Sequence, residues 1–363
     1  MGPREYRFIN LFRALAALWV LVAHCMIWGG WYGLPVPPPK IAVDLFMLVS
    51  GFLMAANATD RWDREPLSEP GARMRFWMRR FFRIAPAYYL ALAVTMVFSP
   101  IILGGREHLQ ALSPMQWAGS VYAQPVRFTL DNVLMHVSFL FGLHPDYASS
   151  TALPDWSLGL EMQFYLAFPL LFLWLRTPLR ALVAGLIVFT LGRDFAISVA
   201  YPEPSLLAFK LHYFLAGMLL YQAVTESGAK RTGAIAAALV LSFLDRNWHQ
   251  PALLLSMFAL ALLERDGQTP APLAAVIDSR IMRFASDVSY SVYLFHGRMI
   301  GTFGALLAIF PADLSPMART ALLFAFVLPT SYAISWVVYR WVELPGIALG
   351  KRVVGRRRAV PAT

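Results

Sequence analysis

The stretch FINLFRALAALWVLVAHCMIW, residues Phe8 to Trp28, decides the fold of this chain. It is long enough to cross a bilayer as a helix, which needs about 20 mostly apolar residues. It nevertheless contains Arg13 and His24, eleven positions apart. Since a helix turns about 100° and rises about 1.5 Å per residue, both share one face with about 16 Å between them. A charge inside a span costs about 2.5–3.5 kcal/mol on insertion scales, so the pair predicts a polar interior in a helical bundle.

The composition indicates an integral membrane protein. Of 363 residues, 58% are hydrophobic and 14% are charged, and the mean hydropathy is +0.55. Soluble domains contain about 25% charged residues. We therefore predict an all-α, polytopic membrane bundle formed by a single domain, residues 1–363, with a short basic cytoplasmic tail, residues 351–363. In a membrane protein the location of the basic residues matters more than the net charge of +10. The basic stretch 351–358 is predicted to anchor to anionic membrane lipid, and no nucleic-acid partner is expected.

Ten membrane-spanning helices are predicted from the apolar runs. They cover approximately residues 8–28, 41–57, 84–103, 156–175, 181–199, 205–225, 232–244, 250–264, 285–309 and 319–342. Basic residues are concentrated in the segments that the ten spans place on the same side of the membrane as the N-terminus, above all 61–83 and 351–358. Because basic residues are enriched in cytoplasmic loops, this bias predicts that both termini are cytoplasmic. In the outer segment 104–155, the apolar stretch Leu130–Leu143 is too short to span and predicts a re-entrant or interfacial helix.

Three polar residues of the predicted spans lie toward the outer side. His24 is about four residues from the outer end of its span, Asp44 is about three residues into the second and Glu161 about five into the fourth, so all fall within roughly 10 Å of one level. A histidine beside carboxylates forms a general-base unit, because the imidazole takes a proton and a carboxylate orients it. Glu161 is predicted to matter more than Asp44, which lies near the solvated rim. Trp156 and Tyr165 would keep water away from Glu161.

The cytoplasmic side carries arginines instead. Arg13 lies about five residues from the inner end of its span, and Arg79, Arg80 and Arg83 precede the third. Guanidinium groups bind phosphate through two parallel hydrogen bonds, so the cluster predicts a phosphate-bearing ligand on this side. Arginines that flank a span are also topology anchors, and that alternative stays open. His24, like His296 in the ninth span, can also be a packed residue.

Five ordered motifs carry a resemblance to a known family. They are Arg13 with His24 after ten residues, the AVDLFMLVSGF segment 42–52, the RRFFRIAP segment 79–86, the WSLGLEMQFY segment 156–165, and the closing segments SYSVYLFH (289–296) and ELP (343–345). The chain resembles the membrane acyltransferase-3 family, whose members transfer acyl groups from coenzyme A thioesters to hydroxyls, mainly of surface carbohydrates. Met162 replaces the second of two adjacent glutamates often present in that family, which leaves Glu161 as the carboxylate there.

The resemblance implies a membrane O-acyltransferase. Acyl-CoA, most simply acetyl-CoA, would enter from the cytoplasm with its phosphates near Arg13, Arg79, Arg80 and Arg83, and no metal ion is expected. His24 would deprotonate the hydroxyl of a cell-surface or lipid-linked glycan, with Glu161 and Asp44 as the associated carboxylates. The motifs also contribute further lining residues, namely Ser50, Trp156, Tyr165, Tyr290, Tyr293, His296 and Glu343. The family implies location in the bacterial cytoplasmic (inner) membrane.

Two hypotheses of other classes remain at this point. Ten spans with buried charges also fit a transporter, although paired Gly/Pro interruptions of the spans, typical of its broken helices, are not evident. A non-catalytic membrane protein that binds glycan or lipid is the second. The presence of Arg13, His24 and Glu161 together favours the enzyme over both.

Overall fold

The chain folds into helices and turns throughout residues 6–112, 129–151, 155–199, 201–309 and 314–355, which the computed structural model describes. The helices are α1 Arg7–Gly29, α2 Pro39–Asp60, α3 Pro70–Val97, α4 Ser99–Ala111, α5 Leu130–Val137, α6 Trp156–Trp174, α7 Pro178–Val199, α8 Leu207–Thr225, α9 Gly228–Ser242, α10 His249–Arg265, α11 Ala271–Ile277, α12 Arg280–Asp287, α13 Ser289–Ile309, α14 Pro316–Val338 and α15 Leu344–Val354. A π-helical turn, Tyr339–Glu343, joins α14 to α15, and a 3₁₀ turn, Phe141–Leu143, follows α5. The all-α prediction is confirmed for these residues.

Several of these helices are long and apolar enough to cross a membrane. Among the described residues there are seven, namely α1, α2, α6, α7, α8, α13 and the continuous run Pro316–Val354, and the bent pair α3–α4 makes an eighth. The predicted number of ten is not confirmed. The two remaining predicted spans, 232–244 and 250–264, correspond to α9 and α10, which have only 15 and 17 residues. About 20 residues are needed for a helix that crosses without tilt or thinning of the bilayer.

Helix α3 differs from its predicted span in a way that matters for the site. It begins at Pro70, fourteen residues before the predicted start at residue 84, and it is bent by 75° against α4 at residue 98. Its first residue is Pro70, and proline is favoured in the first turn of a helix, where its missing N–H costs nothing. At about 1.5 Å per residue, Arg80 and Arg83 therefore lie about 15 Å and 20 Å from the helix start. Both lie well within the helix rather than before its start, and both residues are half-buried.

Glycines bring the central helices close together. A side chain at Gly51 of α2 or Gly217 of α8 would collide with the backbone of the opposite helix at Phe214 or Leu48. Small residues have the same role between membrane helices generally, because they let the backbones approach. The contact sets α2 directly against α8 and places their facing side chains at the centre of the bundle.

The segment between α4 and α6 contains the short helix α5, in which polar residues are buried and leucines are exposed. In α5 the polar residues Asn132 and His136 are buried, whereas Leu130 and Leu134 are 74% and 58% exposed. Eight residues, about 12 Å of helix, are too few to cross a bilayer, so the helix is shorter than the predicted stretch 130–143. His136 Nε2 lies 3.4 Å from a carboxylate oxygen of Asp155, which fixes α5 to the start of α6. Its exposed leucines fit the predicted interfacial position.

Candidate active site

The helices α1, α2, α3, α6, α8 and α13 enclose a cavity of about 270 Å³. Eight of the residues predicted from the sequence line it, namely Arg13, Ser50, Arg80, Arg83, Glu161, Tyr165, Tyr290 and Tyr293. The walls between them are apolar and include Val43, Met47 and Phe214. The remaining predicted residues, His24, Asp44, Arg79, Trp156, His296 and Glu343, are not among the lining residues. Most of the motif residues thus converge on a single cavity with charged groups along an apolar wall.

Glu161 lies at the arginine-containing part of this cavity. Its Oε1 accepts hydrogen bonds from the Tyr165 hydroxyl and, at 3.3 Å, from the Ser50 hydroxyl. The guanidinium of Arg80 lies 5.7 Å over the Tyr165 ring and 5.5 Å over the Phe76 ring. The sequence predicted Glu161 and the arginines at different depths, but the early start of α3 carries the arginines up to the carboxylate. Glu161 and Arg80 therefore share one tyrosine as a common neighbour.

The motif arginines have different partners. Arg79 forms an ion pair with Glu65 at 2.7 Å and Arg83 one with Glu343 at 3.5 Å. No carboxylate of the described residues lies within 4 Å of the Arg80 guanidinium, and its buried Nε has no hydrogen-bond partner among them. Because unsatisfied buried donors are rare and costly, Arg80 is the arginine of the cluster with most capacity to bind an incoming anion.

Glu343 reaches α3 because of the π-helical turn. The extra residue in such a turn displaces the helix face, and π turns are frequent at functional sites. Glu343 is buried, accepts a hydrogen bond from the Ser291 hydroxyl and pairs with Arg83. Gly346, one turn further on, lies against Pro86 with no room for a side chain. Glu343, the first residue of the ELP segment, thus pairs with Arg83 and is not among the residues that line the cavity.

His24 is paired with His296. The Nδ1 atom of His24 lies 2.9 Å from the Val20 carbonyl and 3.1 Å from Nε2 of His296. The Nδ1 atom of His296 lies 3.1 Å from the Val292 carbonyl. Both side chains are buried, with 7% and 1% exposure. The structure therefore places a second imidazole within hydrogen-bonding distance of His24, where the sequence predicted a carboxylate.

Tyr293 separates this histidine pair from the cavity. It lines the cavity, its hydroxyl lies 2.8 Å from the Ser157 hydroxyl, and its ring centroid is 6.0 Å from that of His296. His296 follows Tyr293 by three residues on α13, a rise of about 4.5 Å. The pair consequently lies immediately beyond the Tyr293 wall of the cavity.

Asp44 belongs to a separate ion cluster. Lys210 of α8 lies 3.2 Å from Asp44 and 2.9 Å from Asp245, and the Tyr213 hydroxyl donates to Asp245 at 3.1 Å. Burial by itself raises the pKa of the Asp245 carboxyl, which lies in the loop after α9. The neighbouring His212 ring and the Lys210 ammonium outweigh burial and hold that pKa well below its usual range. Asp44 is only 2% exposed, so the predicted solvation of this residue at the rim is wrong.

Sequence reasoning missed the partners in this cluster. Lys210 was visible as a lysine within a predicted span, and such a residue normally has a carboxylate partner. Asp245 lies in a loop about 35 residues away, and nothing in the local pattern connects the two. Trp156 begins α6 and packs, half-buried, against the core. In the part of the chain that the structure describes, no group of three or more His, Cys, Asp or Glu side chains is arranged to hold a metal ion.

Removing Lys210 is expected to destabilise the fold rather than to impair donor binding. Breaking a buried ion pair leaves an uncompensated charge and costs about 3–5 kcal/mol, whereas removing both partners costs less. Lys210→Met should therefore lower the thermal unfolding midpoint in detergent clearly, and the double change with Asp44→Asn should recover part of the loss. Lys230→Met is the control, because its pair with Glu226 is exposed and spans 3.9 Å. A stable Asp44→Asn variant without turnover would instead assign Asp44 to the chemistry.

Comparison with known proteins defines the class. The family model described as "Acyltransferase domain" matches residues 6–340. The chain therefore belongs to the acyltransferase-3 family, as its ordered motifs predicted. With its membrane-spanning helices, it is a multi-pass membrane protein of this family.

Individual proteins that are similar to this chain are named as acyltransferases or O-acetyltransferases. The chain is 31% identical over 192 residues to the peptidoglycan O-acetyltransferase OatA of Listeria monocytogenes, covering 49% of this chain and 27% of that protein. It is 32% identical over 149 residues to the acyltransferase MdmB of Streptomyces mycarofaciens (39% and 31%), and 26% identical over 205 residues to the O-acetyltransferase OatA of Staphylococcus aureus (52% and 29%). Each alignment spans less than a third of the relative's length. No solved structure matches the chain.

Proposed function

We propose that this protein is an O-acyltransferase of the bacterial cytoplasmic membrane. It moves an acyl group, acetyl in the simplest case, from acyl-CoA on the cytoplasmic side to a hydroxyl of a cell-surface or lipid-linked glycan. Family membership and relatives named as O-acetyltransferases support the reaction class. The relative named as a peptidoglycan enzyme makes peptidoglycan the first acceptor to test.

The observation that carries this proposal is Arg80. Arg80 lines the cavity, and its buried Nε is a hydrogen-bond donor without a partner among the described residues. Arg13 and Arg83 line the same cavity. Among the described residues, the hydrogen-bond partner of Arg13 is neutral, the hydroxyl of Ser289 at 3.1 Å. Planar guanidiniums bind phosphate oxygens in pairs, and the apolar wall suits the arm that carries the thioester. A coenzyme A donor would place its phosphate groups beside these arginines and its thioester arm along the apolar wall, and this fit supports the proposed donor.

In the proposed mechanism His24 is the general base. Its imidazole removes the proton of the acceptor hydroxyl, and the oxygen attacks the thioester carbonyl carbon directly. The carbon–sulfur bond breaks, and the thiolate leaves and takes up the proton. Glu161 holds the Tyr165 and Ser50 hydroxyls and balances the charge of the cavity arginines, and Asp44 fixes α2 on α8 through Lys210. A positioned general base contributes about 10²–10⁴-fold to such a rate.

Transfer from a defined donor tests the proposal. The purified protein, reconstituted in vesicles with envelope glycan, should move radiolabel from acetyl-CoA into the glycan as a base-labile ester. Mass spectrometry of envelope glycans from cells with and without the gene should show O-acyl groups lost from one glycan. Vesicles that leave the label on acetyl-CoA but accept it from a different acyl donor would overturn the donor assignment. Unchanged glycans in the deletion strain would overturn the acceptor class.

A further inference from the structure

The histidine pair defines which nitrogen of each ring carries a proton. A carbonyl oxygen only accepts hydrogen bonds, so the proximity of His24 Nδ1 to the Val20 carbonyl and of His296 Nδ1 to the Val292 carbonyl places a proton on each Nδ1. Neutral His296 then carries its lone pair on Nε2, which lies 3.1 Å from the Nδ1 nitrogen of His24. In neutral His24 the lone pair is on Nε2, the nitrogen that must take a proton in general-base catalysis.

We propose that His296 is the positioning residue for His24, in the place where a carboxylate orients the imidazole in comparable general-base units. Its Nε2 shares the Nδ1–H of His24 with the Val20 carbonyl, supports together with that carbonyl the tautomer with the basic Nε2, and stabilises the imidazolium as it forms. The inference rests on the proposed function of His24 as base. Glu161, the carboxylate predicted for this role, instead accepts hydrogen bonds from Tyr165 and Ser50.

The proton balance of the step shows when His296 contributes. The acceptor proton moves to His24 Nε2 while the acceptor oxygen bonds to the carbonyl carbon, and the leaving thiolate later takes that proton. In between, His24 is an imidazolium whose Nδ1–H is shared between the Val20 carbonyl and His296 Nε2. A hydrogen bond from a charged donor is roughly twice as strong as a neutral one. The interaction therefore strengthens only as charge develops, which raises turnover without tightening substrate binding.

The surroundings favour a neutral partner ring that accepts part of this charge. The Arg106 guanidinium lies close by, since it is 3.4 Å from the Gly297 carbonyl and 5.6 Å over the Trp28 ring. Positive charge near the pair makes a localised imidazolium costly, and a hydrogen-bonded second ring spreads it. The His296 ring is anchored to its own helix through Val292, so its Nε2 is held in one direction. A residue that only filled space would need neither feature.

Substituting His296 by glutamine and by asparagine distinguishes a positioning role of this residue from a packing role. The side-chain amide of glutamine reaches the place of histidine Nε2, whereas that of asparagine reaches only the place of Nδ1. His296→Gln should keep kcat within about tenfold of the wild-type value. His296→Asn should lose about 100-fold in kcat with the KM for acetyl-CoA unchanged, because it can still bond to Val292 but not to His24. Thermal unfolding in detergent checks that both variants are folded.

Parallel measurements on His24→Ala distinguish the inference from the function on which it rests. If His24→Ala is inactive and His296→Asn is as active as His296→Gln, His296 is a packing residue and the inference is wrong. Equal losses in the Gln and Asn variants, with equal losses of stability, would also contradict it. If His24→Ala retains turnover, the assignment of the base fails first. A folded His296→Asn with low kcat and normal KM, rescued in His296→Gln, supports the positioning role.

Discussion

Replacing His24 by alanine is expected to lower acyl transfer about 10²–10⁴-fold while the protein still inserts and folds. The side chain is buried against the Val20 carbonyl of its own helix and the His296 ring, and alanine is tolerated in a helix, so the variant is expected to remain folded. Initial rates with acetyl-CoA, together with size-exclusion profiles in detergent, measure both effects. Because the base acts on the acceptor, the KM for the donor should change little.

The control for this variant is His144→Ala. His144 lies in the outer segment with its side chain 54% exposed, and its carboxylate neighbour Asp146 is 3.9 Å away. Turnover of the control should equal that of the wild type. Near-normal turnover by folded His24→Ala would remove the base from the proposed mechanism. The carboxylate of Glu161 in the cavity would then be the next residue to test.

Arg80→Ala should raise the KM for acetyl-CoA by about 10- to 100-fold, since hydrogen bonds between charged groups contribute about 1.5–3 kcal/mol. Arg80→Lys should lose about tenfold, because lysine keeps the charge but not the paired planar donors. Binding of coenzyme A to the purified protein, measured by calorimetry, gives the same comparison without turnover. Both variants keep the fold if the guanidinium only borders the cavity.

Arg79→Lys is the matched comparison one residue away. Arg79 is tied to Glu65 outside the cavity, and a lysine can keep that ion pair and the positive-inside charge. Its donor affinity should therefore stay within about twofold of the wild type, although the family motif groups it with Arg80. Equal loss of affinity in both lysine variants would mean that the donor phosphates extend to Arg79. Unchanged affinity in both would leave the arginines as topology anchors.

The depth of each polar group was the weakest part of the sequence prediction. Counting residues from span ends places a group correctly only when the helix boundary is known. The start of α3 at Pro70 moved Arg80 and Arg83 inward by several turns, to the level of Glu161. Asp44, counted as near the rim, is buried because Lys210 and Asp245 approach from parts of the chain that no local pattern connects.

The sequence by itself determined the class of protein and most of the residues around its cavity. Apolar runs of about 20 residues leave only helices as spanning structures, because every backbone polar group must be satisfied without water. The spacing of the motifs, from Arg13 to the segment that contains Tyr293, then identified the family. These features are local, so they can be recognised before any fold is known.

Only the tertiary structure decided which partner each of those residues has. A hydrogen bond or ion pair between helices depends on their register and rotation, which close glycine contacts and an early helix start set here. His24 consequently meets His296 from 272 positions further along the chain, Arg83 meets Glu343, and the buried Nε of Arg80 has no hydrogen-bond partner among the described residues. The sequence supplies the charged groups, but their pairing is a property of packing, since distances of about 3 Å between distant segments exist only in the folded bundle.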